Sequence, residues 1–202
     1  MIPHTSGPKQ RRADATRNTE RIVDAAISQL RVRPDATMAS IAREAGLGRV
    51  TIYGHFASRR DIVEAAMTRV MAEANGSIAS ASTDPDPTQA MTRTLTLSWQ
   101  LMNRSRMVAI AATDELSATQ LRDLHTVLTA QMTALVTRGQ AERVFRPDLP
   151  AWWLVAAIHH LFHAAAEFAT TGTGPTHAQH HLVETVLAVL EHPNTFREKT
   201  VQ

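Results

Sequence analysis

The stretch Met38–Phe56, MASIAREAGLGRVTIYGHF, constrains this chain more than any other. It reads as a short helix, a tight turn and a second short helix. Ile41, Ala42 and Ala45 lie on one face of the first helix, at i, i+1 and i+4. Thr37 stands just before it, and a threonine hydroxyl can cap the free backbone N–H groups of a helix start. Gly46-Leu47-Gly48 follows: a glycine where the chain leaves the helix, an apolar plug, and a glycine before the next helix. The second helix, Arg49–His55, turns Ile52 inward along with Phe56 and leaves Arg49, Val50, Thr51, Tyr53 and His55 outward or sideways. This pair is a helix-turn-helix, whose second helix is shaped to enter a DNA major groove.

Further residues fall into register with that motif: Arg21, Ala25–Ala26, Ile41–Ala42, Ala45–Gly46, Thr51–Ile52–Tyr53, His55–Phe56 and Ser58–Arg59. Together they resemble the amino-terminal domain of TetR-type transcriptional regulators over residues 17–66. Three departures stand out. The loop at Arg31–Pro34 is two residues shorter than usual and lacks the family's Gly-aromatic pair. Gly48 replaces a common serine cap, and Val50 a smaller residue. The resemblance implies a three-helix DNA-binding head followed by a body with a ligand chamber, whose last two long helices build a dimer interface. It also implies that Tyr53, His55 and Arg59 meet the DNA backbone.

Composition supports an all-α protein, since apolar residues make up 44% of the 202 positions while glycine and proline are sparse and alternating strand patterns are almost absent. The absence of cysteine excludes a disulfide framework, a thiolate metal site and a cysteine nucleophile. Met1–Gln10 has no apolar stretch suited to a signal peptide. The most apolar run, Ala151–Ala169, holds three histidines and Glu167, which fits a packed helix better than a membrane span. The expected location is cytoplasmic. Charge is uneven: residues 1–60 carry eleven bases against five acids, a surplus of six in a chain whose net charge is only +2. A basic head on a mildly acidic body fits nucleic acid at one end and a different task at the other.

In chain order, residues 1–16 read as a flexible basic tail, with Lys9, Arg11 and Arg12 able to reach phosphates or a minor groove. Residues 17–66 form the helix-turn-helix domain, with a first helix from about Arg17 to Leu30 and Pro34 closing it. Ser58-Arg-Arg-Asp61 is a capping-box signature, starting a helix that runs to about Ala74. Asn75–Thr88 reads as a loop. Residues 67–202 form the ligand-binding and dimerisation domain, an antiparallel helical bundle. Its helices are expected over Pro87–Arg104, Met107–Leu116, Ala118–Val144, Pro150–Thr170 and Thr176–Glu191.

Arg49, Val50 and Thr51 carry groups suited to base edges, and Thr37, Tyr53, His55 and Arg59 groups suited to phosphates. In the body, Trp99 and Met102 share one helical face, and His159, Phe162 and His163 share another. If both faces meet one interior, they form an apolar chamber with imidazoles to orient a polar group; the same side chains would equally fill a solid core. His159/His163 and His177/His181 are i, i+4 pairs of the kind that can bind a metal from one helix face. The first pair lacks the intervening glutamate of a zinc hydrolase, and histidines on half-buried helices are more often packing residues. No metal site, cofactor or catalytic residue is assigned.

The sequence is therefore read as a homodimeric, non-enzymatic transcriptional regulator, a repressor released from a pseudo-palindromic duplex operator by a small apolar or aromatic effector. The competing readings are a metal-binding helical protein and a ligand-independent DNA-binding protein.

Overall fold

The computed structural model describes residues 8–171 and 174–191, apart from the side chains of residues 8–12 and 171. Among them are eight helices: α1 (Pro8–Val32), α2 (Met38–Glu44), α3 (Arg49–His55), α4 (Arg59–Ala81), α5 (Pro87–Glu115), α6 (Ala118–Ala141), α7 (Ala151–Thr171) and α8 (Pro175–Leu190). The described residues contain no strand, only a lone antiparallel bridge between Phe145 and Glu191. None of their helices is long and apolar enough to cross a membrane.

Three sequence expectations are corrected. The first helix begins at Pro8 rather than near Arg17, because proline suits a first helical turn and nothing from Lys9 to Thr16 breaks it; the expected tail keeps only residues 1–7, which lie outside the described residues. The helix after Ser58 continues to Ala81, because Ala74, Ile78 and Ala81 extend its buried stripe past Gly76. The expected 75–88 loop shrinks accordingly to residues 82–86. The segments 87–104 and 107–116 form one continuous helix. Ser105, read as a boundary, is buried and in register with Val108, Ala111 and Ala112.

The chain folds as two compact units. One comprises residues up to Ala72 with Asn103–Leu124; the other comprises Glu73–Met102 with the chain from His125 onward. In the first unit, α1 buries Ile22, Val23, Ala26 and Leu30, α2 buries Ile41 and Ala42, α3 buries Ile52, and α4 buries Ile62, Val63 and Ala66. In the second, Met91, Leu95 and Trp99 of α5 join Met132, Leu135 and Val136 of α6. Leu154, Val155 and Ile158 of α7 and Leu182, Val186 and Leu190 of α8 complete that core.

Phe145, in the turn after α6, is buried and packs directly over Gly139: a Cβ on Gly139 would stand 2.1 Å from Phe145 Cδ2. The Arg146 N–H donates to the Leu190 carbonyl at 2.9 Å, tying this turn to the end of α8. Gly139→Ala must therefore displace an aromatic ring or bend α6. The expected cost is about 1–3 kcal/mol of stability, at roughly 2–4 °C of Tm per kcal/mol in a chain of this size. An unchanged melting temperature would contradict this packing.

Candidate nucleic-acid interface

The reading unit is built on seven-residue helices, whose ends matter more than their middles. At the start of α2, the Thr37 hydroxyl accepts from the Ser40 N–H at 3.2 Å while the Ser40 hydroxyl oxygen accepts from the Thr37 N–H at 3.0 Å, a reciprocal capping box. At its end, Gly46 adopts φ +62°. The Leu47 N–H then reaches the Ala42 carbonyl at 2.9 Å and the Gly46 N–H the Arg43 carbonyl at 3.1 Å, the paired bonds of a Schellman ending. The Arg21 Nη2 donates to the Ala45 carbonyl at 2.7 Å, fixing this turn to α1. Only glycine takes that left-handed backbone without strain.

Beyond the turn, α3 buries Ile52 alone. Val50 is 88% exposed and Tyr53 45%; Arg49 is also exposed, its guanidinium carbon 5.8 Å from the Tyr53 ring centroid. Arg49, Val50 and Tyr53 thus stand on an open face, with Thr51 half-buried beside them. His55 is partly buried, its Nδ1 3.1 Å from Thr19 Oγ1. The Thr19 hydroxyl donates to the Ala15 carbonyl, so its oxygen accepts from His55 Nδ1–H. In the neutral ring Nε2 is then an acceptor.

Arg59 is placed differently from its neighbours. Its Nε donates to the Ala36 carbonyl at 2.9 Å, its Nη2 to the Pro34 carbonyl and its Nη1 to the Glu115 carboxylate. Only about a quarter of the side chain is exposed. Ser58 and Asp61 cap α4 beside it as the sequence motif implies: the Ser58 N–H donates to Asp61 Oδ2 at 2.9 Å and the Asp61 N–H to Ser58 Oγ at 3.2 Å.

In the second unit, one member of each face read from the sequence meets the other, Trp99 with Phe162, whereas His159 and His163 lie exposed on α7. Trp99 is fully buried and its ring contacts Phe162 edge-on, with centroids 5.7 Å apart; Met102 packs against the same core. His159 and His163 form a second cluster one turn along α7, Nε2 to Nε2 at 3.1 Å. His125 of α6, which spacing alone did not reveal, brings its ring to 6.3 Å from that of His159. Among the described residues no three His, Asp or Glu side chains are grouped to hold a metal ion.

A three-helix head with an open second helix defines a helix-turn-helix DNA-binding protein. Residues 22–66, the head of this chain, match the family described as bacterial regulatory proteins, tetR family. No curated protein matches the sequence. Among solved structures, a transcriptional regulator of Saccharomonospora viridis in complex with choline superposes with a TM-score of 0.75 at 23% identity, covering 87% of this chain and 98% of that one. The fatty acid degradation regulator FadR of Bacillus halodurans gives 0.73 at 17% identity, covering 91% and 96%. The TetR-like regulator LfrR of Mycobacterium smegmatis in complex with proflavine gives 0.65 at 22% identity, covering 87% and 98%. At these identities the likeness is one of fold.

Although exposed in part, both His159 and His163 are held below the usual imidazole range, first by partial desolvation. The positive charge that His163, His125 and His160 carry when protonated adds to this at His159, and that of His125 and His160 at His163. The folded chain thus favours the neutral rings, and the unfolded chain takes up protons first as pH falls. Stability is unaffected well above the ordinary value of 6.5 and is lost as pH falls through and below it. Between about pH 7.5 and about pH 5, the wild-type Tm should therefore fall further than that of His159→Gln/His163→Gln. An equal or larger fall in the double variant would contradict this.

Proposed function

We propose that this protein is a homodimeric repressor that binds a pseudo-palindromic duplex operator and leaves it when its body binds a small organic effector. The observation that carries the DNA half is the open face of α3, where Arg49, Val50 and Tyr53 stand exposed on a head held rigidly from both sides. In this reading Arg49, Val50 and Thr51 read base edges. Thr37 and Tyr53 meet phosphates, positioning the head without reading sequence, and His55 serves the same interface by tying α3 to Thr19 of α1. Arg59 serves the same interface by holding the loop that leads into Thr37, its guanidinium already bonded to that loop's carbonyls. Residues 17–66 act as the DNA-binding domain and 67–202 as the ligand-binding and dimerisation domain.

Dimerisation through α7 and α8 is supported by what α7 leaves uncovered. Trp152, Trp153 and Phe168 are 64, 54 and 63% exposed, and Trp153, Ala157, Ala164 and Phe168 lie on one helical stripe. Small residues between aromatic ends allow close approach of a second copy. The effector is supported by the body's apolar interior around Trp99, Met102 and Phe162 beside His159 and His163, and by similar folds solved with choline or proflavine bound. An effector that prefers one body conformation changes operator affinity by its differential affinity for the two states and no more.

Titration of a labelled operator tests the DNA half. Tyr53→Phe should weaken specific and non-specific duplexes by similar factors, and Arg49→Ala should change which base is preferred at one position, at a cost of about 1–3 kcal/mol. Wild-type affinity and preference in both variants would refute the placement of α3.

A further inference from the structure

Many hydroxyls on the described helices settle their hydrogen bonds locally. Thr92 and Thr96 on α5, Thr133 and Thr137 on α6, and Thr68 and Ser77 on α4 each donate to the carbonyl four residues earlier, at 2.8–3.1 Å. This is the usual back-bond of a helix hydroxyl. Thr94 and Ser98 of α5 break the habit. Their oxygens are buried and make no hydrogen bond, and Thr94 is only 1% exposed. Both sit within the apolar stripe of Ala90, Met91, Leu95 and Trp99, one helical turn apart, so the two hydroxyls look into the core of the second unit.

Two further buried oxygens there are also without partners, Asn75 Oδ1 on α4 and Gln131 Oε1 on α6. These side chains lie together, because Gln131 Nε2 donates to the Asn75 carbonyl at 3.3 Å. Their depth matches that of Thr94. Arg138 of α6 donates to the Asp84 carbonyl at 2.8 Å, and Asp84 pairs with Arg93 at 2.7 Å, so the turn between α4 and α5 and the end of α6 share one level. Asn75 lies six residues before the end of α4 at Ala81, Thr94 seven after the start of α5 at Pro87 and Gln131 seven before Arg138, roughly 9–11 Å along their helices at 1.5 Å per residue. Ser98 lies one turn deeper.

Buried polar side-chain atoms nearly always have partners, and four unpartnered oxygens in one unit, three at about one depth and Ser98 a turn deeper, mark a place that receives them. We propose that Asn75, Thr94, Ser98 and Gln131 form the polar end of the effector site and that the effector presents neutral N–H donors to them, as a carboxamide or an aryl or heteroaryl N–H does. The two carboxamide oxygens can only accept, and the hydroxyls can accept or donate. No carboxylate or cation belongs to the four; the nearest charge along α6, Arg138, is two turns away, its Nη2 bound to the Asp84 carbonyl and its Nε buried without a partner. The set therefore matches a donor without net charge. Trp99, next to Ser98, with its edge contact to Phe162, supplies the flat apolar surface beside it. This rests on the effector reading above and moves its polar anchor from α7 to α4, α5 and α6.

The test is thermal denaturation and calorimetric titration of the full chain with two matched pairs of probes, indole against indene and benzamide against acetophenone. The N–H member of each pair should raise Tm and its isostere should not. In Thr94→Val/Ser98→Ala the dissociation constants for indole and benzamide should rise at least tenfold, and Gln131→Leu, on a different helix, should lose the same shifts. Without probe, Thr94→Val/Ser98→Ala should melt at or above the wild-type temperature, because it removes two unpartnered hydroxyls; lost binding is then not lost folding. Equal shifts within each pair, no shift with any probe, or unchanged binding in the variants would overturn the proposal. Operator release is read separately: N–H-selective binding without release would sink the effector reading while leaving the polar layer standing.

Discussion

The reading head depends on two arginines that hold the ends of α2. A seven-residue helix is too short to persist by itself, and α2 buries little beyond Ile41, Ala42 and Ser40. Its entry is fixed by Arg59, which bonds the carbonyls of Pro34 and Ala36 just before the Thr37 cap and pairs with Glu115. Its exit is fixed by Arg21, which bonds the Ala45 carbonyl beside the left-handed Gly46. Hydrogen bonds from a charged donor are roughly twice as strong as neutral ones, and these meet carbonyls at helix ends that have no intrahelical partner. With both ends of α2 set, the Gly46 turn determines where α3 points, and α3 can leave Arg49, Val50 and Tyr53 uncovered. The open face of α3 exists because its support is supplied from outside the helix that carries it.

The body is built on the opposite principle. Its core is continuous across α5, α6, α7 and α8, and Gly139 lets Phe145 seal one end of it. Within that core the stripe of α5 gives up stability at Thr94 and Ser98, where leucine or alanine would cost nothing to bury. Unpartnered buried hydroxyls are each a destabilising feature, tolerated in natural proteins chiefly where function needs them.

The motif at Met38–Phe56 was legible because each of its signals is local. The Thr37 cap, the Gly46 turn and the Ser58/Asp61 box involve residues only a few positions apart, and each takes the geometry its chemistry implies. Helical spacing put Trp99 and Phe162 each on an inward face, and their rings meet, but it also put His159 and His163 with Phe162, and both lie exposed. What spacing could not show was partnership across the fold. Glu115 lies 56 residues from Arg59, and Thr19 lies 36 residues before His55, so the inward placement of Arg59 and the anchoring of the His55 ring had no local signature. Helix boundaries failed where polar residues were read as breaks. Gly76–Ser77 and Ser105 lie inside helices because Ala74, Ile78 and Val108 keep the buried stripe in register, and burial outweighs the weak propensity of a few residues.

The central claim is that two copies of this head read one duplex through α3. Hydroxyl-radical footprinting of the protein on its selected operator tests it most directly. The account predicts two protected half-sites related by a dyad, their centres about 34 Å or a multiple of that apart on one face of the DNA. A single protected half-site, or protection without a dyad, would contradict it.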